Sequence, residues 1–227
     1  MASDSFKRET VRALIAALVI VVAGGILYPL VMTGVGQVVF PHEVNGSQIT
    51  VGGKVIGSEL IGQSFQTPVY KHGKLVENEG VVETTPDPRY FQSRPSATEG
   101  GEYNAAASTF SNLGPNSVAT KEAISKHIKA YIKLNRPYYP GLRPSNVPVD
   151  AANSSASGLD PEISVANARI QAHRVAALRH LALGRVLALI PTYTSSRFLG
   201  FSGEEGVNVL ELNLALDRMQ GGLASGR

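Results

Sequence analysis

The chain has 227 residues, 17% of them charged, with a formal net charge of +3 and no cysteine. This length suits one ordinary domain with an additional element. The small net charge argues against a nucleic-acid-binding surface, and the lack of cysteine excludes disulfides and thiolate metal sites.

The segment from Ala13 to Pro41 contains no charged side chain. As a helix, its first 20 residues would extend about 30 Å, which matches the hydrocarbon thickness of a bilayer. The apolar run continues to Phe40 and holds no clear small-x-small cleavage site, which argues against a signal peptide. We therefore predict an uncleaved transmembrane helix over residues 13–36.

Basic residues before this helix predict its orientation. Lys7, Arg8 and Arg12 come just before it, and such basic flanks stay on the cytoplasmic side. Residues 1–12 are then a cytoplasmic arm, and residues 42–227 form an extracytoplasmic domain.

Small residues and a proline interrupt the span. Glycines let a second helix approach closely, and a proline removes one backbone donor and frees a carbonyl. We predict that five residues contact a partner helix: Gly24, Gly25, Pro29, Gly34 and Gly36. Because glycine is common in membrane helices generally, a span without such contacts stays an alternative.

Beyond the span, the first patterns predict strands and a long loop. The sequence QITVGGKVIG predicts a β-hairpin that turns at Gly52-Gly53, and a weaker strand pair flanks His72-Gly73. Residues 84–115 are rich in Pro, Gly, Ser and Asn, which predicts a long ordered loop or a set of turns.

The remaining patterns are mostly helical. The clearest helix covers residues 117–134, with an apolar stripe on one side and lysines that suit either solvent or anionic groups. We predict a second helix from about 161 to 182 and a short one at 184–190. Residues 206–217 begin as a buried strand and turn helical near Leu214. The fold class is a single N-terminal transmembrane helix plus a mixed α/β domain with a small sheet.

The stretch SSASGLDPEIS (154–164) raises the question of catalysis. Ser157 beside Asp160 would suit an anchored extracytoplasmic serine hydrolase, whereas Asp160-Pro161-Glu162 also suits a helix N-terminus with Asp160 as its cap. His173 would lie about 20 Å along a continuous helix from Asp160, which is too far for a triad. The sequence also lacks G-x-S-x-G, H-E-x-x-H and Walker A motifs. We therefore favour the capping interpretation over the hydrolase.

Several short motifs occur together and in a characteristic order. They are YPLVMTGVGQ, FPHEVNGS, GSELIGQSF, RYFQSRPSAT, YNAAASTFSNLGP, SASGLDPEIS, HRVAALR and VNVLELNLALD. In this order the sequence closely resembles the C subunit of the bacterial Kdp-type potassium-transporting ATPase, over nearly the whole chain. Residues 67–87 depart from the family pattern and are expected to be a surface insertion.

The resemblance implies a non-catalytic accessory subunit of a high-affinity, ATP-driven potassium uptake complex in the bacterial inner (plasma) membrane. It would be needed for assembly with a potassium-binding, channel-like subunit and a P-type ATPase subunit. No metal or cofactor is expected in this chain itself, because ATP and potassium would be handled by the complex.

The resemblance also implies a role as a catalytic chaperone that raises the affinity of the ATPase subunit for ATP. By that proposal Ser157, Gly158 and Gln171 match a nucleotide-contacting signature. The predicted orientation conflicts with it, since an extracytoplasmic domain cannot meet cytoplasmic ATP. We therefore favour docking on the channel-like subunit near its potassium entrance, with any effect on ATP transmitted as a coupling free energy.

Overall fold

The structure is a computed structural model that describes residues 2–78, 81–99, 102–109, 111–197 and 199–221. Two compact units make up the chain, residues 1–48 and residues 49–227. The second unit is called the C-terminal domain below, and each unit is described by itself.

The first unit is helical. It comprises α1 (Ala2–Val22), a π-helical turn (Ala23–Leu27), α2 (Tyr28–Val39) and the short α3 (Pro41–Val44). Its helix Ser5–Val39 is 35 residues long and is long and apolar enough to cross a membrane. The predicted apolar N-terminal helix is thus confirmed, and the predicted span of residues 13–36 lies within it.

The π-helical turn has a cause in the sequence. Pro29 has no N–H, so an unbroken α-helix would leave a carbonyl in the preceding turn without a donor. In the structure the N–H of Tyr28 donates to the carbonyl of Ala23, five residues earlier, and α2 then begins with the proline in its first turn. The wider turn adapts the backbone to the proline.

The C-terminal domain begins with the predicted hairpin. Strands β1 (Gln48–Val51) and β2 (Lys54–Ser58) pair across the turn at Gly52-Gly53, so this prediction is confirmed.

Residues 66–86 form an exposed arm of six short strands. They are β3 (Gln66–Pro68), β4 (Tyr70–Lys71), β5 (Lys74–Leu75), β6 (Glu77–Asn78), β7 (Val81–Val82) and β8 (Thr84–Pro86). β3 pairs with β8, β4 with β5 and β6 with β7, all antiparallel. The predicted strand pair around His72-Gly73 is confirmed as β4–β5. The arm coincides with the predicted insertion of residues 67–87, of which residues 79 and 80 lie outside the described residues.

The three strand pairs of the arm meet at a closed ring of backbone hydrogen bonds. Val69 N–H donates to Glu83 O (2.9 Å), Glu83 N–H to Val76 O (2.8 Å), and Val76 N–H to Val69 O (3.0 Å). Each residue of the ring donates once and accepts once, so the junction satisfies its own backbone groups without help from the domain.

The rest of the domain packs helices on a small sheet. The helices are α4 (Val118–Asn135), α5 (Val149–Ala152), α6 (Val165–Leu178), α7 (Leu183–Leu189) and α8 (Val209–Met219). The strands β9 (Glu162–Ser164), β10 (Thr194–Ser195) and β11 (Gly206–Asn208) form an antiparallel sheet in the order β10-β11-β9. Short 3-10 turns cover Pro144–Asn146 and Ile190–Tyr193. The mixed α/β fold with small sheets is confirmed.

The core lies where α6 and α8 cover this sheet. Its members are fully or almost fully buried and include Phe91, Ile163, Val175, Val207, Leu212 and Leu216. Phe91 is the member contributed by the long loop that precedes α4, so part of that loop is an interior element.

The predicted helix start at Asp160 is wrong. Residues Glu162–Ser164 form β9, and α6 begins at Val165 with Ser164 as its N-cap, whose Oγ accepts from Asn167 N–H (3.1 Å). Ile163 is in register with Val207 of β11, and both are buried. This pairing outweighs the local capping pattern of Asp160-Pro161-Glu162, because burying two apolar side chains stabilises more than one cap.

The other predicted helices are present, but their first and last residues differ from the predicted ones. The helices at 117–134 and 184–190 are confirmed as α4 and α7, and α6 ends at Leu178, before residue 182. The last helix, α8, starts at Val209 and not near Leu214, because Asn208 caps it by accepting from Glu211 N–H (3.1 Å).

The exposure of the α4 lysines fits both alternatives raised above. Lys121, Lys126, Lys129 and Lys133 are all exposed, as either a solvated face or a face that contacts anionic groups requires.

Candidate functional site

The glycines of the span differ in what surrounds them. A side chain added at Gly24, Gly25 or Gly34 would meet no atom within 4 Å, whereas one at Gly36 would lie 2.8 Å from Val44 Cγ2. Gly36 is therefore needed where α3 folds back against α2. The other three leave the surface of the helix open to another molecule.

Gln171, one of the residues predicted for a nucleotide, contacts the stretch from Pro88 to Gln92, called the 88–92 segment. This segment is not part of a helix or strand, yet Phe91 is 0% exposed. Where a loop enters the interior, as at Phe91, its backbone N–H and C=O groups must be satisfied without a strand partner, so the source of those bonds explains the local structure.

Two side-chain amides pair with the backbone of this segment as a neighbouring strand would. Asn213 of α8 accepts from Phe91 N–H (2.9 Å) and donates to Phe91 O (3.0 Å). Gln171 of α6 accepts from Gln92 N–H (2.8 Å) and donates to Gln92 O (2.9 Å). The 88–92 segment is thus fixed between α6 and α8 by side chains.

A buried arginine completes the support. Arg174 of α6 is 0% exposed. It donates to Pro88 O, to Tyr90 O (2.9 Å), to Asn135 Oδ1 (2.9 Å) and to Gln171 Oε1 (2.8 Å). All of these acceptors are neutral, and burial lowers the pKa of Arg174 to about 10. The side chain therefore remains charged at neutral pH.

Gln171, predicted as a nucleotide contact, has its hydrogen-bonding capacity filled inside the protein. Its Oε1 accepts from Gln92 and Arg174, and its Nε2 donates to Gln92 O and to Asn167 Oδ1 (2.9 Å). An amide offers two donors and two acceptor positions, and Gln171 is 1% exposed. Its position in the structure is that of a structural side chain.

Ser157, the second predicted contact, lies in a loop tied to Asp160. Its Oγ donates to Asp160 Oδ1 (3.1 Å) and accepts from Leu159 N–H (3.1 Å), while Arg94 Nη1 donates to the other oxygen of Asp160 (2.9 Å). Asp160 therefore joins two loops rather than capping a helix.

The geometry does not assemble the serine hydrolase that was weighed as an alternative. The hydrogen bonds of Ser157 go to Asp160, Leu159 and Ser155. The ring of His173 packs against Tyr139, with 4.9 Å between centroids. A triad needs a histidine that takes the serine proton. Here the hydroxyl of Ser157 donates its hydrogen bond to the carboxylate of Asp160 instead.

Gly158, the third predicted contact, is set in a tight junction. It has φ +72, and an added side chain would lie 2.7 Å from Thr98 Cγ2 and 2.9 Å from Thr109 O. Its N–H donates to Ser155 Oγ (2.9 Å) and its carbonyl accepts from Ser96 Oγ (2.8 Å). Among the described residues, no hydrogen bond joins Gln171 to Ser157 or Gly158, so the structure does not connect the three directly.

A cleft of about 560 Å³ borders the 88–92 segment. Its walls come from the loop before α4, from the second half of α4 and from α6; Gln171 is among its lining residues and Ser157 and Gly158 are not. In the parts of the chain that the structure describes, no group of three or more His, Asp or Glu residues could hold a metal ion.

Sequence reasoning missed the residues that hold the segment. Arg174 and Asn213 were not singled out, although both are polar residues inside apolar helix faces, beside Val175 and Leu212. A polar side chain in such a position needs a buried partner. That mismatch is the signal that could have revealed the network.

The chain matches the family model described as K+-transporting ATPase, c chain, over residues 10–218. It is 44% identical to a potassium-transporting ATPase KdpC subunit of Mycobacterium bovis over 213 residues, covering 94% of this chain and 100% of that protein. The protein of the same name from Methylococcus capsulatus is 46% identical over 208 residues, covering 92% and 96%. The one from Streptomyces coelicolor is 44% identical over 207 residues, covering 88% of each.

Proposed function

Because the chain belongs to the KdpC family, the c chains of K+-transporting ATPases, we propose that it works by holding its complex together and not by catalysis of its own. It is an accessory subunit of a potassium uptake complex. In the proposal, the helical span packs on a neighbouring helix. The C-terminal domain docks on the potassium-binding, channel-like subunit near the potassium entrance, and the P-type ATPase subunit is the second partner.

The observation that carries this proposal is the internal use of the polar groups that sequence had suggested for chemistry. Gln171 has no free donor or acceptor, and Ser157 is bonded to a carboxylate instead of a histidine. Side chains committed in this way stabilise the fold and are not free to act as a nucleophile or a base. The family's catalytic-chaperone role, raising the affinity of the ATPase subunit for ATP, then becomes a coupling between distant sites.

The open glycines of the span give the first test. We expect the paired change Gly24→Leu with Gly25→Leu to lower recovery of the other subunits in a pull-down of the complex several-fold, because leucine side chains keep a second helix at a distance. The matched control is Ala16→Leu, which adds the same side chain to the span at a position not predicted to contact a partner. Equal recovery with both variants would remove helix contact from the proposal.

The orientation of the chain gives the second test. We propose that the N-terminal arm is cytoplasmic and that the C-terminal domain lies outside, as the basic arm favours. The chain has no cysteine, so single cysteines can report on each side. A membrane-impermeant maleimide on intact spheroplasts is expected to label Ser202→Cys, which is exposed, and to leave Ser5→Cys unlabelled.

The reverse labelling pattern would place the C-terminal domain in the cytoplasm. Direct contact of ATP with Ser157, Gly158 and Gln171, which remains a prediction from the family resemblance, would then be the better explanation of any effect on ATP affinity. Labelling of Ser202→Cys alone requires the indirect coupling proposed above.

A further inference from the structure

The cleft beside the 88–92 segment has the size and composition of a small-molecule site. Its volume of about 560 Å³ lies inside the range of roughly 300–1,000 Å³ found for ligand pockets. Much of its lining is aromatic or apolar: Pro86, Pro95, Tyr103, Tyr131, Leu134 and Tyr138. A ring or a short hydrocarbon body would bury apolar surface there.

Two of the three tyrosine hydroxyls of the cleft already have partners. Tyr131 Oη donates to Asn167 Oδ1 (2.8 Å), and Tyr103 Oη donates to Arg94 O. Burial raises the pKa of both phenols, so both stay neutral at physiological pH. Their remaining contribution to the cleft is ring surface.

Two cationic side chains of the cleft have donors left over. Arg94 uses Nη1 on Asp160, but its Nε is buried and has no hydrogen-bond partner among the described residues. Lys133 is exposed at the cleft and forms no ion pair within the parts of the chain that the structure describes. A buried N–H without an acceptor is costly, so the chain itself does not fully satisfy the Arg94 guanidinium.

The carboxylate of the cleft does not fill this role. Glu102 Oε2 accepts from Ser64 Oγ (2.6 Å) and from Gln66 Nε2 (3.0 Å). The carboxylate of Asp160 is the acceptor for Arg94 Nη1 and leaves Nε unpaired. The two cationic side chains that line the cleft, Arg94 and Lys133, therefore favour an anionic group from outside the chain.

We propose that this cleft binds a small organic anion, with a carboxylate or phosphate group at Arg94 and Lys133 and an apolar or ring body against Tyr131, Leu134 and Tyr138. Of the three residues predicted for nucleotide contact, Ser157 and Gly158 do not line this cleft, and Gln171 lines it with its hydrogen-bonding groups already used inside the protein. It also does not depend on docking to other subunits, since all its residues belong to the C-terminal domain.

Isothermal titration of the full chain in an uncharged detergent tests the site with four probes: phenyl phosphate, benzoate, inorganic phosphate and benzyl alcohol. We expect one saturable site for the two ring-bearing anions. Binding of inorganic phosphate and of benzyl alcohol should be at least about 5-fold weaker, because each lacks one of the two features that the cleft recognises.

Variants separate the contributions. Arg94→Gln is expected to weaken phenyl phosphate binding about 10-fold or more, and Lys133→Gln about 3-fold, because the first removes a charge-assisted bond in a buried position and the second an exposed ion pair. Lys126→Gln is the matched control on the same helix, and it should leave binding unchanged since Lys126 does not line the cleft.

A third variant guards against misfolding, because Arg94 also holds Asp160. Ala130 is an exposed residue that lines the cleft, so Ala130→Trp should obstruct the cleft and abolish binding without removing a side-chain hydrogen bond.

The proposal is overturned if the wild-type chain binds neither ring-bearing anion, or if binding is unchanged in both Ala130→Trp and Lys133→Gln. Equal affinity for inorganic and phenyl phosphate would overturn the apolar-body requirement.

Discussion

Replacing Arg174 by methionine is expected to lower the free energy of unfolding of the C-terminal domain by about 3–5 kcal/mol. Methionine fills part of the volume but donates no hydrogen bond. Pro88 O and Asn135 Oδ1 then lose the one donor that the structure gives them, in a place where Arg174 is 0% exposed. An unpaired buried acceptor costs about 1–3 kcal/mol.

Thermal unfolding of the full chain in micelles, followed by circular dichroism, measures this effect. A loss of that size corresponds to a fall in Tm of about 10 °C for a domain of this length. Arg169→Met is the control on the exposed side of α6 and should change the stability by less than about 0.5 kcal/mol. Equal Tm values for the two variants would show that the buried network does not support the fold.

Arg174→Lys separates charge from geometry. Lysine keeps the positive charge, but its single ammonium cannot reach acceptors that the planar guanidinium spans from both ends. We expect a Tm between those of the wild type and Arg174→Met. A wild-type Tm would mean that the charge alone is sufficient.

Gly158→Ala is the second change with a large expected effect. At φ +72 an alanine occupies a left-handed conformation that costs about 1–2 kcal/mol. Its methyl group would also lie 2.9 Å from the carbonyl oxygen of Thr109, which is backbone and cannot simply rotate away. Overpacking adds about 1–3 kcal/mol, so a total loss of about 2–5 kcal/mol is expected in the same unfolding measurement.

Gly114→Ala is the matched control for this prediction. An added side chain there meets nothing within 4 Å, and the residue has no positive φ, so its stability should stay at the wild-type value or rise slightly. A stable Gly158→Ala protein would contradict the junction described here. Loss of an ATP effect in Gly158→Ala would not by itself show nucleotide contact, because the fold is damaged first; Ser157→Ala, which needs no extra space, is the more direct probe.

The parts of the fold that depend on neighbours in sequence could be predicted. The apolar span, the hairpin at Gly52-Gly53 and the helix at 117–134 each carry their own pattern of residues. The strand at Glu162–Ser164 does not, because its pairing partner Gly206–Asn208 lies far along the chain. There the local capping pattern favours a helix start, but pairing with the distant strand is the more stable arrangement.

The candidate site was harder to predict for a related reason. Family resemblance identified Gln171, but not what it touches: its partner is the backbone of Gln92, in a loop with no periodic pattern. Side-chain amides that replace a strand neighbour leave no repeating signal in the sequence. The sequence does contain another signal, since Gln171, Arg174 and Asn213 are polar residues on otherwise apolar helix faces.

The π-helical turn at Ala23–Leu27 sets the rotational phase between the two halves of the span. Such a turn holds one more residue than an α-helical turn. Glycines within and after it, such as Gly24 and Gly34, therefore do not fall on the faces that a count of 3.6 residues per turn would assign. A small-residue motif must be counted separately on each side of Pro29. A second helix packed along one face of the span would therefore find Gly24 and Gly25 at one angle around the helix axis and Gly34 at another.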